Sequence, residues 1–500
     1  MKIQQLLEHH GIGRNPFAEE DAQTDPVFKD HCIDSTFHPT WDKVYGDPAE
    51  PATAVVFGEK GSGKTAMRLQ IARHLDEYNQ EHAGRRIFVV HYDDFNPFLD
   101  RFHERVGRRR RADKVLSRWH LWDHVDSILQ IAVMGLVDRI LEVKQPSKAT
   151  VGEVGDSDID ALDRHQSRDL LLLAACYDQS TAETFKGRWH RLRRRLKFHT
   201  WRAKWDLGVG VLTTVAVITL AVVLSANGQN WWLPYWWALL FPILGGWIPR
   251  LWRIWKCFWL ARGVVTRMRT GNHQSVPLCK VLLQFTSAEL AGQPLPNKDR
   301  TDDRYELLAK FQGILNTLGY RGMVVLVDRI DEPHLINGSA ELMKALAWPM
   351  LDNKFLKHPG LGLKLMLPIE LTRFIDREER EFYQRSRLDK QNMIRTFEWT
   401  GEALFDVANA RISACAVSGA SPTLHDLFDA SLTDRRLIEA LRSLRVPRHL
   451  FKFLYRLLVA HANRYTDSTP VWKISGETFE SELAVYLREQ EAFDRGLGAG

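Results

Sequence analysis

Residues 54–65 have the sequence AVVFGEKGSGKT, and this stretch constrains the fold more than any other. The apolar run Ala54–Phe57 predicts a short buried strand, the glycines after it predict a turn, and helical spacing follows up to Leu75. A strand, a glycine-rich turn and a helix, in that order, give G-x-x-x-x-G-K-[ST] its meaning as a phosphate-binding loop. Glycines let backbone N–H groups turn toward phosphate oxygens, and the helix N-terminus favours an anion.

The loop supplies the predicted nucleotide-binding residues. Lys64 is expected to reach the β- and γ-phosphates of ATP, and the Thr65 hydroxyl is expected to ligate Mg²⁺. The other predicted nucleotide contacts come from the loop and the first helical turn: Gly58, Glu59, Lys60, Gly61, Ser62, Gly63 and Ala66. The alternative is a glycine-rich turn with an incidental lysine, but the motif and its flanking elements agree with each other.

A second apolar run, Met323–Val327, ends in acidic residues. An acid at the end of a buried strand holds the Mg²⁺ shell in phosphate-loop enzymes, and Asp328 has this position. Glu332 is the first choice for the base that polarises the attacking water, and Asp331 is the second. Because Arg329 directly follows Asp328, the base is displaced from the simplest Asp-Glu arrangement. The alternative is a strand that merely ends in polar residues.

Further strands are predicted at 362–367 and at Thr396–Trp399. The first should lie between the phosphate-loop strand and the acidic strand, with Glu370 as a candidate sensor of the γ-phosphate. Two arginines before the last strand, Arg385 and Arg387, are candidate arginine fingers for a neighbouring subunit's γ-phosphate. An ordinary charged helix face explains these two arginines equally well.

Residues 402–462 are predicted to be helical. Pro447 occupies a favourable first helical position, and Arg448 follows it in the same turn. Arg448 is therefore predicted either to point back at the nucleotide or to be a plain cation at a helix start.

Two long uncharged stretches, Leu207–Ala226 and Trp231–Ile248, are each about long enough to cross a bilayer. Basic residues flank the pair on both outer sides, and the turn between the stretches carries none. The positive-inside rule then predicts a two-span hairpin through 207–248, in the plasma (inner) membrane, with both termini and the phosphate loop cytoplasmic. Tryptophans predicted at the inner interface are Trp201, Trp205, Trp252 and Trp255; the predicted outer aromatic residues are Trp231, Trp232, Tyr235, Trp236 and Trp237. The alternative is a buried helical hairpin in a soluble domain.

Net charge and cysteine spacing indicate which other kinds of site the chain could contain. The formal net charge is +6, and the five cysteines are scattered without a C-x-x-C pair. This pattern argues against a disulfide framework or a zinc site and fits a reducing compartment. The basic run Arg108–Arg111 is more typical of a solvated face than of a nucleic-acid clamp.

These motifs together resemble the AAA+/STAND division of P-loop ATPases. GEKGSGKT, then VVLVDRIDE, then a helical lid with a Pro-Arg start carry the resemblance, over roughly 54–95 and 302–460. A membrane hairpin between the two nucleotide motifs is similar to the architecture of KAP-type P-loop NTPases. The resemblance implies a membrane-anchored ATPase with Lys64, Thr65, Asp328, Glu332 and Arg448 in its site. Arg329 departs from the KAP pattern, which has a second aspartate there.

The predicted fold class is α/β, with a mostly parallel five-strand P-loop sheet of the additional-strand type and a helical lid. A helical insertion that carries the transmembrane hairpin interrupts it. The predicted segments are a lead-in (1–50), the first part of the ATPase core (51–100), a helical insertion (101–205), the hairpin (206–249), a basic juxtamembrane segment (250–301), the second part of the core (302–400), the lid (401–465) and a C-terminal tail (466–500).

The predicted function is an ATP hydrolase that uses Mg²⁺ to drive a conformational or assembly switch, in signalling or defence as the family suggests. A homo-oligomer is expected. One alternative is a nucleotide-gated membrane scaffold with little turnover, which the displaced base favours. The other is a nucleic-acid-dependent ATPase; it is ranked third because the chain has no aromatic-interleaved binding motif.

Overall fold

A computed structural model describes residues 1–107, 111–143, 148–150, 152, 154–180, 183–228 and 233–494. Contacts divide the chain into two compact units. The first unit contains Met1–Glu81, Leu326–Glu332 and the chain from Ile336 onward, and the second contains His82–Val325 and Pro333–Leu335. The phosphate-loop stretch and the acidic residues after 327 therefore belong to the same unit.

The strands form a mixed, mostly parallel sheet, which makes the fold α/β as predicted. Its strands are β1 (Ala54–Gly58), β2 (Arg86–Tyr92), β3 (Ala149–Thr150), β4 (Tyr320–Val327), β5 (Leu361–Pro368) and β6 (Asn392–Ile394), in the order β3-β2-β4-β5-β1-β6. β1 runs parallel to β5 and β6, whereas β2 and β3 are antiparallel. Every residue of β1 and β5 is buried, which explains their mostly apolar sequences. The exception is Lys364 of β5, whose Nζ donates to three backbone carbonyls.

The order confirms that β5 lies between β4 and β1. Two strand predictions were wrong: the sheet has six strands rather than five, and Thr396–Trp399 is not a strand. The final strand is β6, which ends two residues before Thr396 and pairs with Ala54–Val56. The aromatic residues of the predicted strand have other partners, because Trp399 donates its Nε1 hydrogen to the Ser62 carbonyl at 2.7 Å.

The helices follow the predicted order, with some differences in the lid and the insertion. Up to Glu81 they are α1 (Ile3–His9), α2 (Trp41–Tyr45) and α3 (Lys64–Glu81). The second unit contains α4 (Asn96–Gly107), α5 (Ala112–Leu116), α6 (Leu121–Ile140), α7 (Asp156–Asp160), α8 (Arg164–Tyr177), α9 (Phe185–Arg195), α10 (Trp205–Ala226), α11 (Leu240–Arg267), α12 (Ser275–Leu282), α13 (Ser287–Leu290) and α14 (Thr301–Thr317). The first unit then adds α15 (Ala340–Ala347), α16 (Asn353–Leu356), α17 (Thr372–Ile375), α18 (Arg380–Ser386), α19 (Gly401–Ala414), α20 (Asp434–Arg442), α21 (Pro447–Arg464) and α22 (Gly476–Asp494). Residues 402–462 are thus not continuously helical, since a mostly irregular stretch separates α19 from α20.

The N-terminal segment belongs to the core of the lid helices. Leu6 and Leu7 of α1 are fully buried in one apolar cluster with residues of α19, α20, α21 and α22. Burial of side chains of this size stabilises the contact by about 1.5–3 kcal/mol each. The N-terminal segment therefore has its first helix packed into the core of the lid helices.

Several basic residues that the sequence placed beside the membrane are paired within the second unit. Arg188 is buried between Asp138 and Asp178, at 2.6 Å from each. Arg191 pairs with Glu183. The positive flank available to a lipid surface is therefore smaller than the sequence count indicates.

Among the described residues, one helical segment, Trp201–Ala226, is long and apolar enough to cross a membrane by length and composition. It consists of a short 3₁₀-helix, Trp201–Lys204, and α10. Only 6% of its apolar window is buried, which distinguishes it from the core helix of a soluble domain. The predicted second span and outer belt begin at Trp231 and Trp232, which lie outside the described residues, as do residues 108–110 of the basic run. The described remainder of that span is a 3₁₀-helix, Leu233–Leu239, followed by α11.

Candidate functional site

The glycine loop folds tightly between β1 and α3 because two of its residues have left-handed backbone conformations. Gly61 has a φ of +88° and Gly63 a φ of +94°, values that L side chains rarely adopt. A Cβ atom at Gly61 would lie 2.5 Å from the Cβ of Arg448. The backbone N–H of Arg448 also donates to the Gly61 carbonyl at 3.3 Å, so the start of α21 rests directly on the loop.

Lys64 is held over the loop by backbone carbonyls. Its Nζ donates to the carbonyl oxygens of Gly58 at 2.7 Å and Glu59 at 2.8 Å. Burial lowers the pKa of Lys64, and the negative charges of Asp328 and Asp331 oppose this shift. The ammonium group is thus pre-positioned at the N-terminus of α3, where a helix favours an anion.

Asp328 follows β4 and connects the acidic strand end to the loop. The Thr65 hydroxyl donates to Asp328 Oδ2 at 2.8 Å, across 263 positions of sequence. The Nε of Arg68 lies 3.3 Å from the same oxygen, and the backbone N–H of Arg329 donates to Oδ1 at 2.9 Å. Burial raises the pKa of Asp328, and the adjacent Arg68 guanidinium opposes this shift. A hydroxyl and a carboxylate side by side are the hard oxygen ligands that Mg²⁺ prefers.

Arg329 lies beside Glu332, the predicted base. Its φ is +60°, an unusual backbone conformation for a residue other than glycine. Its guanidinium lies 3.4 Å from Glu332 and 3.7 Å from Asp21. The Glu332 side chain is 55% exposed. Burial raises the pKa of Glu332, and the Arg329 charge opposes this shift.

A cavity of about 380 Å³ brings most of the predicted site residues together. The loop contributes Lys60, Gly61, Gly63, Lys64, Thr65 and Ala66, and the acidic residues and the lid contribute Asp328, Asp331, Glu332, Glu370 and Arg448. Aromatic side chains line another part of the wall: Phe28, Phe397, Trp399 and Phe451. The cavity thus combines cations, carboxylates and an apolar wall, as ligand pockets with a few polar groups on an apolar lining do.

Five predicted residues do not line this cavity: Gly58, Glu59 and Ser62 of the loop, and the two arginines Arg385 and Arg387. Arg385 of α18 lies against the Phe382 ring, and Arg387 pairs with Asp389 at 3.6 Å. Neither lines the cavity in the described part of the chain. Their predicted role concerns a neighbouring subunit and stays a prediction.

Three further residues of the site were not predicted from the sequence. Arg68 could have been found, because it lies one helical turn after Lys64 and therefore on the same face of α3. His38 and Trp399 line the cavity, but nothing in their local sequence indicates it.

No protein-family model matches the chain, and no curated protein and no solved structure matches it significantly. The resemblance to KAP-type P-loop NTPases therefore stays a prediction from the motifs.

Proposed function

We propose that this chain binds ATP with Mg²⁺ at the 58–66 loop and hydrolyses it, to drive a conformational or assembly switch while anchored to a membrane. The hydrogen bond from Thr65 to Asp328 carries the proposal. It joins the hydroxyl of the phosphate-loop motif to the acid of a separate strand, which are the two side chains that phosphate-loop enzymes use around the metal.

The side chains divide the work of phosphoryl transfer. Loop N–H groups and Lys64 bind the phosphate oxygens and compensate the charge that develops there. Thr65 and Asp328 would hold Mg²⁺, which when bound adds positive charge at the phosphates. Glu332 orients and polarises the attacking water, with Asp331 as the second candidate. Arg448, which packs on Gly61, places a cation of the lid beside the loop.

The membrane part of the proposal depends on α10 and α11. The described faces of both helices expose large apolar side chains, among them Leu212, Val222, Phe241 and Leu244. The helices pack on each other, and Trp247 donates its Nε1 hydrogen to the Thr214 hydroxyl at 3.1 Å. We propose that they form a two-span hairpin in the plasma (inner) membrane, with both termini cytoplasmic. Exposed apolar area of this extent fits a lipid environment.

The surroundings of Glu332 favour a second candidate, a nucleotide-gated membrane scaffold with little turnover. The carboxylate is half exposed and paired with Arg329. A base in this position needs a rearrangement before it can activate water. Binding of ATP would then be the functional event, and turnover would be slow or would depend on a partner.

ATP turnover by the full-length protein in lipid nanodiscs tests the proposal. We expect Lys64→Ala to abolish both binding and turnover, and Glu332→Gln to keep binding but lower turnover by about 10²-fold or more. Arg73→Ala is the matched control, because it removes an exposed cation from the same helix. Wild-type binding with turnover no higher than in Glu332→Gln favours the scaffold. Equal binding by wild type and Lys64→Ala contradicts both.

A further inference from the structure

An N-terminal segment, residues 16–25, is anchored beside the cavity by one buried ion pair. Arg411 of α19 pairs with Asp25 at 2.5 Å, and both side chains are almost fully buried. The Nε of Arg411 also donates to the Pro16 carbonyl at 2.6 Å. Two ends of the segment are thus fixed by one side chain. Removing either partner would leave the other as an uncompensated buried charge, so the two side chains depend on each other.

The anchored segment presents two carboxylates to the cavity. Asp21 lies 3.7 Å from Arg329. Glu20 lies 3.9 Å from Arg448 and 3.5 Å from Lys452. Glu20, Asp21, Arg329 and Arg448 all line the same cavity as Lys64. Two cations of the proposed nucleotide site therefore already have anionic partners from the chain itself.

We propose that Glu20 and Asp21 act as built-in counter-charges that the phosphates of the nucleotide must displace from Arg448 and Arg329. This inference rests on the proposed function, and it names the regulation of that site. The anchor at Arg411 keeps both carboxylates near the cavity after displacement. They then return to the two arginines when the nucleotide leaves.

The two ion pairs lower the affinity for the nucleotide but are too weak to prevent its binding. Asp21 and Glu20 are 47% and 37% exposed, and their distances to the arginines exceed those of a tight ion pair. Exposed ion pairs of this kind are weak, because water screens them. Phosphate oxygens carry more charge and form stronger hydrogen bonds with arginine than a carboxylate at this distance. A triphosphate can therefore replace both pairs, at the cost of part of its affinity.

The same segment affects the predicted base. Arg329 lies between Asp21 and Glu332, so the two carboxylates share one guanidinium. Loss of the Asp21 contact leaves Arg329 free to turn toward a phosphate. Such a movement also releases Glu332 from its partner.

The test compares nucleotide affinity in charge-neutralised variants of the full-length protein in nanodiscs. A fluorescent ATP analogue and the matching ADP analogue are titrated into wild type, Glu20→Gln, Asp21→Asn and the double variant. We expect each single change to tighten ATP binding about twofold to fivefold, and the double variant to add the two effects. The gain should be smaller for ADP, which carries one phosphate fewer. Glu19→Gln is the matched control, since this neighbour is also exposed and acidic but does not line the cavity.

A double-mutant cycle assigns the mechanism. The gain from Glu20→Gln should shrink in an Arg448→Met background, because the cation of the site that Glu20 pairs with is gone and only Lys452 remains beside it. Unchanged ATP affinity in the double variant contradicts the proposed role of Glu20 and Asp21, and it leaves the proposed function unaffected. An equal gain from Glu19→Gln also contradicts that role, since net charge alone then explains the effect. Binding by neither wild type nor the double variant overturns the proposed function, and the inference with it.

Discussion

His38 is a buried residue of the cavity wall whose contacts require the neutral form of its imidazole ring. Its Nδ1 accepts the Thr40 backbone N–H at 3.1 Å, so its Nε2 carries the proton and donates to the Glu398 carbonyl at 2.8 Å. The ring also stacks on Phe397 with centroids 3.7 Å apart. The neutral imidazole satisfies these contacts. Burial accordingly lowers the pKa of His38 to about 4.

Acid should therefore destabilise the protein through His38. The folded pKa of about 4 lies below the ordinary value of 6.5. Between these two pH values the unfolded chain binds the proton and the folded chain does not, so stability is complete above pH 6.5 and falls as the pH decreases. Relative to that of His38→Asn, the free energy of unfolding of wild type should decrease by about 2–3 kcal/mol between pH 7 and pH 4.5.

Apparent melting temperatures of wild type and His38→Asn, measured across this pH range, check the expectation. The difference between the two proteins should shrink as the pH falls. His31→Asn is the control, because His31 is exposed. A difference that stays constant with pH means that His38 does not control this response.

At the scale of elements, α10 and α11 pack closely at Gly246 of α11. A Cβ at Gly246 would lie 2.0 Å from the Thr213 hydroxyl oxygen, whereas a Cβ at the adjacent Gly245 meets nothing within 4 Å. The Thr213 hydroxyl is itself held by the Gly210 carbonyl at 2.9 Å. The two helices therefore approach closely where Gly246 faces Thr213, as small residues permit in membrane helix pairs.

Gly246→Val should separate these helices, and Gly245→Val should not. Overpacking of a tight contact costs about 1–3 kcal/mol, which corresponds to a decrease in melting temperature of roughly 2–10 °C for a unit of this size. Thermal unfolding of both variants in nanodiscs measures the difference. Equal melting temperatures for the two variants contradict the packing.

The elements that the sequence predicted are those with long buried apolar runs. β1, β4 and β5 are buried along almost their whole length, so composition alone marks them. β3 and β6 contain two and three residues, and such short strands depend on a neighbour that local sequence does not identify. Trp399 illustrates the limit, since it was predicted to be in a strand, whereas its indole donates a hydrogen bond to the Ser62 carbonyl of the loop.

The residues of the site also differ in whether local sequence predicts them. Lys64, Thr65 and Asp328 could be predicted because each belongs to a motif with a fixed local context. Glu20 and Arg411 could not, because their importance arises from contacts across several hundred positions of sequence. Arg411 reaches Pro16 across 395 positions, a pairing that no spacing rule predicts.

At the scale of the whole molecule, the number of membrane crossings decides which side of the bilayer each part of the chain occupies. A single crossing by α10 puts the residues before and after it on opposite sides. A two-span hairpin puts them on the same side and leaves only the turn near Asn227 outside. The proposed function requires the second arrangement, because the loop at 58–66 and Asp328 must share one aqueous compartment.

Single introduced cysteines distinguish the two arrangements. The five native cysteines are all buried, so an introduced thiol is the accessible one in the folded protein. Glu50→Cys precedes α10, Asn227→Cys lies in the turn, and Lys280→Cys follows α11; all three positions are exposed. In right-side-out vesicles, we expect a membrane-impermeant maleimide to label Asn227→Cys alone, and the other two only after permeabilisation. Labelling of Lys280→Cys or Glu50→Cys, but not both, in intact vesicles means one crossing and contradicts the hairpin. Labelling of all three before permeabilisation means that α10 does not span the bilayer.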